Sequence, residues 1–125
     1  MQREAIVTDK IATSAGPFSA AIKSGDLLFL SGQTAQDPQS GDLIAGDVTA
    51  QTEQIFANLT AVLHAAGKTL SDVVRVGVYL TNMSDFAAMN AVYARYFTAP
   101  YPARSCIGVA SLPLRAVVEI DLIAS

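Results

Sequence analysis

The stretch DVTAQTEQIFANLTAVLHAAGKTLSDVVRVGVYL, residues 47–80, decides the fold because its hydrophobic period changes along its length. From Asp47 to Ala66 the apolar residues have helical spacing and fall on one stripe, Val48, Ile55, Leu59, Val62, Leu63 and Ala66. Asp47 or Thr49 can cap the start of this helix, and Gly67 stands where a left-handed C-cap would end it. Residues 73–80 are dense in β-branched residues, which predicts a strand.

Three strands are predicted on the N-terminal side of this helix. Residues 4–8 form a weak apolar stretch that is the candidate first strand. Residues 18–23 and 26–32 are two apolar segments separated by Ser24-Gly25, and glycine supplies the positive φ of a tight hairpin turn. Residues 33–46 are polar and contain proline and glycine, which indicates a loop.

A second helix and two further strands are predicted on the C-terminal side. Asn82 and Asp85 resemble a capping pair. The stripe of the helix that they open comprises Phe86, Met89, Asn90, Tyr93, Tyr96 and Phe97. Residues 105–110 and 116–124 form the last two strands, linked through Pro113. The order β-β-β-α-β-α-β-β predicts an α+β fold, one mixed sheet with both helices packed on one face.

The composition predicts one domain, residues 1–125, that buries more than its own core. Hydrophobic residues make up 51% of the 125 residues and charged residues only 15%, against about 25% charged in ordinary soluble domains. A spanning helix needs about 20 consecutive apolar residues, and no run in the chain approaches that length. The sheet face without helices is therefore predicted to pack against other subunits.

Several classes of function are disfavoured by the charged and metal-binding residues. The formal charge is −3 and the eight basic residues form no run, so no nucleic-acid partner is predicted. One cysteine, Cys106, and one histidine, His64, make an internal disulfide impossible and a zinc site implausible. His64 lies off the helical stripe and is predicted to be a solvated surface residue. No signal peptide is visible from Met1 onward, which favours the cytoplasm.

Two charged residues interrupt apolar strands. Arg104 begins one, in Pro102-Ala-Arg-Ser-Cys-Ile, and Glu119 lies inside another, in Val117-Val-Glu-Ile-Asp-Leu-Ile. Two interpretations remain open at this stage. The two side chains form a structural ion pair or face solvent at a sheet edge; alternatively, Arg104 awaits an anionic ligand, since its planar fork matches a carboxylate, and Glu119 transfers protons.

Other polar positions are weaker candidates. A free cysteine is more often a buried, small hydrophobic residue than a nucleophile, and no histidine lies near Cys106 in the sequence. Asn90 sits on the apolar stripe, where it caps a loop, bonds buried backbone or points into a pocket. Ser31 and Gly32 end a strand, and they either terminate it or offer a hydroxyl and a backbone N–H to a ligand.

An ordered set of short motifs, from about residue 11 to residue 124, resembles the reactive intermediate (enamine/imine) deaminase family, the RidA/YjgF-like proteins. The matching segments are Pro102-Ala103-Arg104-Ser105-Cys106-Ile107, Leu112-Pro113, Val118-Glu119-Ile120, Gly16-Pro17-Phe18-Ser19, Ser31-Gly32-Gln33, Ala65-Ala66-Gly67, and Asp85-Phe86 followed by Asn90 and Tyr93. The resemblance implies a homotrimer of chorismate-mutase-like subunits with ligand clefts between neighbours. It also implies hydrolysis of 2-enamine and 2-imine acids, such as 2-aminoacrylate and 2-iminopropanoate, to 2-oxo acids and ammonia without a cofactor or metal.

Site residues follow from the same resemblance. Arg104 would grip the substrate carboxylate, and Glu119 would act on a water molecule. The backbone carbonyl of Cys106 would hold the water or the nitrogen, and Ser31 and Gly32 would line the pocket, with Asn90 also in contact with the substrate. Phe18 departs from the family, which often has tyrosine there, so the ring can wall the pocket but supplies no hydroxyl.

Two other functions remain as alternatives. The first is a non-catalytic trimer that binds small carboxylates as a sensor or chaperone, which would keep Arg104 but need no proton-transfer group. The second is a ribonuclease or translation inhibitor, an activity associated with some relatives, and the acidic balance of charges disfavours it.

Overall fold

The computed structural model describes residues 2–125, so Met1, where the expectation about a leader begins, lies outside the described residues. Within the described range the elements are β1 (Arg3–Ile6), β2 (Ala21–Ser24), β3 (Leu27–Gln33), α1 (Val48–Ala65), β4 (Val73–Leu80), α2 (Phe86–Tyr93), β5 (Ala103–Gly108) and β6 (Val118–Ala124). This order is the predicted one, and the predicted α+β fold class is confirmed.

The described strands form one mixed sheet in the order β1-β2-β3-β6-β4-β5. Strand β6 lies inside the sheet and pairs antiparallel with both β3 and β4. Strand β5 pairs in parallel with β4 and is an edge strand. A parallel pair needs a crossover connection, and α2 lies in the connection from β4 to β5.

Helices α1 and α2 cover one face of the sheet. In β6 the alternate residues Val118, Ile120, Leu122 and Ala124 are buried, whereas Glu119, Asp121 and Ile123 are only half-buried. The second set points to the uncovered side, which we call the open face. The predicted stripe of α1 is buried, apart from Ala66, which follows the helix and is half-buried.

Local signals at the helix and hairpin ends act as predicted. The Asp47 carboxylate accepts a hydrogen bond of 3.1 Å from the backbone N–H of Ala50, which caps α1. Gly67 has φ +73° immediately after the C-cap, and Gly25 has φ +60° in the turn between β2 and β3. A side chain is strained in this left-handed region, so glycine suits both positions.

The second helix differs from its prediction. It ends at Tyr93, so Tyr96 and Phe97 follow it rather than belong to it. Both rings pack on Phe56 of α1, at centroid distances of 4.4 and 5.7 Å, which explains their helix-like apolar spacing. Asn82 caps a short 3₁₀ turn by accepting from the N–H of Ser84, and the Asp85 side chain makes no capping bond.

Strand boundaries also differ by a few residues. Phe18 lies outside β2, because Gly16 and Pro17 bend the chain before the strand begins at Ala21. Strand β5 begins two residues earlier than predicted and ends at Gly108, which places Arg104 inside it.

The open face exposes large apolar side chains. Leu27, Phe29 and Ile107 are each 40% exposed or more. Among residues 2–125, no helix combines the length and the apolar character needed to cross a bilayer.

Leu59 lies at the centre of the buried stripe of α1 and has no exposed surface. We expect Leu59→Ala to lower the free energy of unfolding by about 2–5 kcal/mol, because it leaves a cavity between helix and sheet. Thr60→Ala, one residue along on the less buried side, should change it by less than about 0.5 kcal/mol. Urea unfolding at one protein concentration measures both, and equal effects would contradict the assigned packing.

Candidate active site

Arg104 is placed on the helix-covered face at the edge of the sheet. Its backbone is in register with Val76 of β4, which in turn is in register with Leu122 of β6. Both of these side chains are buried beneath the helices, and residues in register share a face of the sheet. Arg104 itself is half-buried, because β5 is the outermost strand.

Three side chains of α2 hold the guanidinium of Arg104. Its Nη1 donates a hydrogen bond of 2.7 Å to Oδ1 of Asn90. Its Cζ lies 4.6 Å from the centroid of the Tyr93 ring and 5.6 Å from that of Phe86. Aromatic faces attract a cation over this range. Burial raises the pKa of the Tyr93 phenol, so the ring beside the guanidinium stays neutral.

The guanidinium of Arg104 retains free hydrogen-bonding capacity. An arginine side chain has five N–H donors, and in residues 2–125 the Asn90 oxygen is the hydrogen-bond acceptor that Arg104 meets. Within the same residues the salt bridge that forms is between Arg95 and Glu53, and it does not include Arg104. Arg104 and Glu119 therefore do not form the structural ion pair that one interpretation of the sequence suggested.

Glu119 points to the opposite side of the sheet. It is in register with Tyr79 of β4, whose other neighbour in register is Ile107. Its carboxyl group packs on Gly32 of β3, where a Cβ would overlap it. Burial raises the pKa of Glu119 and the nearby charge of Asp121 raises it further.

Gly32 borders a cleft of about 320 Å³ between β3 and the segment that precedes β2. Phe18 also lines this cleft and is 57% exposed, with its ring packed against Gly16. The Ser31 hydroxyl donates a hydrogen bond of 2.7 Å to the carbonyl of Ser19, which ties the segment to β3. The Ser31 hydroxyl proton is therefore already engaged.

Cys106 lies on the same face as Arg104, two residues further along β5, and is half-buried. Burial raises the pKa of its thiol, and the opposing effect of Arg104 is smaller. A protonated thiol is a poor nucleophile. His64 is exposed on α1, as expected of a solvated residue.

The candidate residues thus form two groups within one chain. The arginine half-site comprises Phe86, Asn90, Tyr93, Arg104 and Cys106. The glutamate half-site comprises Phe18, Ser31, Gly32 and Glu119. Strand β4 separates Arg104 from Glu119, and the two side chains leave opposite faces of the sheet. A single chain does not bring them together.

Sequence reasoning missed several contributors. Tyr93 and Phe86 read as core residues of a stripe, and only the structure shows that they flank a cation. The sequence alone assigns no role to Tyr79. Gly77, in the same strand, is the signal that points to it, because a glycine inside a strand often marks a place where another group approaches the backbone closely. Buried Asn58 was also missed; its amide donates to the Gln36 carbonyl and anchors the loop after β3.

In the part of the chain that the structure describes, no three His, Cys, Asp or Glu side chains are grouped so that they could hold a metal ion. The chemistry of both half-sites rests on a guanidinium, a carboxyl group, an amide and aromatic rings.

A mixed six-stranded sheet with two helices on one face defines an α+β class of subunit, here with a basic and an acidic half-site. The sequence profile of the family described as endoribonuclease L-PSP matches residues 8–125. The chain belongs to this family, which is the reactive intermediate deaminase (RidA/YjgF) family.

Curated relatives align over most of their length. A RutC family protein of Pyrococcus horikoshii is 46% identical over 122 residues, covering 98% of this chain and 97% of that protein. The chloroplastic Reactive Intermediate Deaminase A of Arabidopsis thaliana is 42% identical, covering 100% of this chain and 67% of that protein. A 2-iminobutanoate/2-iminopropanoate deaminase of Dermatophagoides farinae is 41% identical, covering 86% and 84%.

Solved structures agree in fold. RidA from an Antarctic Psychrobacter species superposes with a TM-score of 0.93 at 44% identity, covering 97% of this chain and 98% of that one. TdcF of E. coli, solved with bound serine, gives a TM-score of 0.91 at 36% identity and covers 97% of both chains.

The raised pKa of Glu119 predicts a pH-dependent stability. A carboxyl group whose pKa is higher in the folded state stabilises the protein below its unfolded pKa, and that contribution is lost as the pH rises through the folded pKa. We expect Glu119→Gln to gain stability relative to wild type as the pH rises above the ordinary carboxyl pKa of about 4. Urea unfolding across a series of pH values measures the difference. Exposed Glu4→Gln is the control, and identical slopes for the two variants would refute the prediction.

Proposed function

We propose that this protein is a hydrolytic deaminase of 2-enamine and 2-imine acids, which it converts to 2-oxo acids and ammonia. The observation that supports this proposal is the environment of Arg104. Asn90 and two rings orient its guanidinium, and within residues 2–125 no carboxylate pairs with it. The names of two relatives, a reactive intermediate deaminase and a 2-iminobutanoate/2-iminopropanoate deaminase, point to the same chemistry.

Arg104 binds the substrate carboxylate in this proposal. Its free N–H groups form a planar fork that matches the two oxygens of a carboxylate. The amide of Asn90 and the faces of Tyr93 and Phe86 restrict the rotation of the guanidinium. Because the imine carbon is bonded directly to the carboxylate carbon, fixing the carboxylate also fixes the reacting carbon.

Glu119 moves the protons. Water adds to the C=N carbon, and Glu119 takes one of its protons and passes it to the nitrogen as the C=N bond becomes a C–N bond. Glu119 then takes the proton of the carbinolamine hydroxyl as the C=O bond forms and delivers it to the nitrogen, so the C–N bond breaks and ammonia leaves. Burial and the charge of Asp121 raise the pKa of Glu119, which brings it closer to the operating pH and suits a group that has to accept a proton and give it back.

The remaining predicted site residues have supporting roles. Because β5 is an edge strand, alternate backbone groups point away from β4, and the Cys106 carbonyl would bind the water or the nitrogen. Gly32 leaves the Glu119 carboxyl accessible beside the cleft that Phe18 walls. Ser31 holds that wall in place through its bond to Ser19. No cofactor enters the proposed steps.

We further propose that the functional unit is a homotrimer in which the half-sites of neighbouring subunits face each other. Within one chain Arg104 and Glu119 lie on opposite faces of the sheet, so a second copy supplies the missing half. The open face exposes apolar side chains that a neighbouring subunit would bury, including Phe29 and Ile107. The proposed location remains the cytoplasm.

A trimer that only binds small carboxylates is the second candidate. It is favoured by the neighbour TdcF, whose structure holds serine, an amino acid with a free carboxylate. Such a protein needs the arginine half-site but no proton transfer at Glu119. The family description as an endoribonuclease is a weaker guide for this chain, because its net charge of −3 opposes binding to a phosphate backbone.

Single substitutions separate enzyme from binding protein. Arg104→Ala should lower kcat/KM for imines generated in situ by at least about 100-fold, since it removes charge-assisted hydrogen bonds to the carboxylate. Glu119→Gln should lower turnover by about 10²- to 10⁴-fold while calorimetry still detects binding of pyruvate. Release of 2-oxo acid, corrected for spontaneous hydrolysis, is the readout. Exposed Arg115→Ala is the control, and full turnover by Glu119→Gln would favour the binding protein.

Mixed trimers test whether each cleft joins two subunits. Arg104→Ala and Glu119→Gln chains, inactive alone, are unfolded together and refolded in equal amounts. About a quarter of the clefts would then combine an intact Arg104 with an intact Glu119. We expect a corresponding return of deaminase activity. No recovery in trimers of confirmed mixed composition would contradict a cleft that is shared between two subunits.

A further inference from the structure

The open face carries a second acidic residue beside Glu119. Asp121 lies two residues further along β6 on the same face, and it is in register with Gly77 of β4. Glu119 is in register with Tyr79, two residues further along the same neighbouring strand. Four positions on two adjacent strands therefore bring two carboxyl groups, one phenol and one glycine together.

The Tyr79 hydroxyl is hydrogen-bonded to Asp121. It donates to Oδ2 of Asp121 at 2.9 Å, although Glu119 is the residue directly opposite Tyr79 on β6 and Asp121 is its diagonal neighbour. Gly77 makes this possible, because a Cβ there would overlap Oδ1 of Asp121 and lie 2.9 Å from the phenol oxygen. The bond to Asp121 raises the pKa of Tyr79, so the phenol stays protonated and continues to donate.

Glu119 has no such partner. Within residues 2–125 its carboxyl group makes neither a hydrogen bond nor an ion pair. On one side it packs on Gly32 of β3, which brings no charge, and on the other it faces Tyr79 of β4. Asp121 is the charged neighbour on its own strand. Arg75 on β4 and Arg3 on the edge strand β1 also lie on this face of the sheet, and Arg75 donates to the Ser105 hydroxyl.

We propose that Asp121, anchored by the Tyr79 hydroxyl above Gly77, is a positioning residue that keeps Glu119 able to hold a proton. This inference rests on the proposed deaminase function. The hydrogen bond from Tyr79 fixes the carboxyl group of Asp121 beside Glu119. The charge of Asp121 makes a negative charge on unpartnered Glu119 less favourable, so Glu119 is the carboxyl group that exchanges the proton. Asp121 does not touch the substrate.

This arrangement suits the proton transfers of imine hydrolysis. Glu119 has to accept a proton from water and return it to nitrogen, and a group that is too acidic accepts poorly. The effect of Asp121 on the pKa of Glu119 adds to that of burial and has the same sign. Removing the charge of Asp121 lowers the pKa of Glu119 and leaves the reacting groups in place.

Asp121→Asn tests the inference, because asparagine keeps an oxygen that can accept from Tyr79 and loses the charge. We expect the acidic limb of the pH–kcat profile to move to lower pH, with kcat at neutral pH reduced by less than about tenfold and KM unchanged. Asp121→Glu, which keeps the charge, should leave the acidic limb of the profile at its wild-type position. Exposed Asp26→Asn, at the β2–β3 turn, controls for the change in net charge.

A titration without substrate makes the test independent of activity. The Glu119 carboxyl carbon is assigned in ¹³C NMR spectra by its absence in Glu119→Gln, and its midpoint is compared between wild type and Asp121→Asn. A lower midpoint in Asp121→Asn supports the inference, and an unchanged midpoint overturns it. If wild type fails to hydrolyse imines, the proposed function fails while this comparison still decides the influence of Asp121. Asp121→Ser, which also removes the carboxylate, serves if Asp121→Asn does not fold.

Discussion

The alternation of side chains along β6 is the constraint on which the rest of the structure depends. Val118, Ile120, Leu122 and Ala124 are sealed beneath the helices, and β6 pairs with both β3 and β4. A slip of one residue would drive Glu119 and Asp121 into the apolar core, where an unpaired charge is costly. Packing of the helices therefore sets the register of the strand, and the register presents both carboxyl groups on the open face.

The same sheet separates the two kinds of charge. Arg104 leaves β5 toward the helices, where α2 provides an amide and two aromatic faces that suit a cation. Glu119 leaves β6 toward the side that the helices do not cover. Separation prevents mutual neutralisation, which would cost both groups their capacity to act on a ligand. An assembly that apposes the edge of one sheet and the open face of another would reunite them.

Much of the fold was predictable because its signals are local. The stripe of α1, the cap at Asp47 and the glycine after the helix each follow from spacing within a few residues, and each is confirmed. The end of α2 was not predictable in this way. Tyr96 and Phe97 continue the apolar spacing of the helix, but their burial comes from Phe56, which is distant in the sequence.

The sequence by itself determined the order of elements, the fold class and the two charged residues that interrupt apolar strands, because periodicity and a misplaced charge are visible in a linear chain. The tertiary structure alone decided which face each charge occupies and what surrounds it. Strands β4, β5 and β6 are neighbours in an order that differs from their order in the chain. Opposite faces for Arg104 and Glu119, and the bond from Tyr79 to Asp121, arise from that long-range pairing.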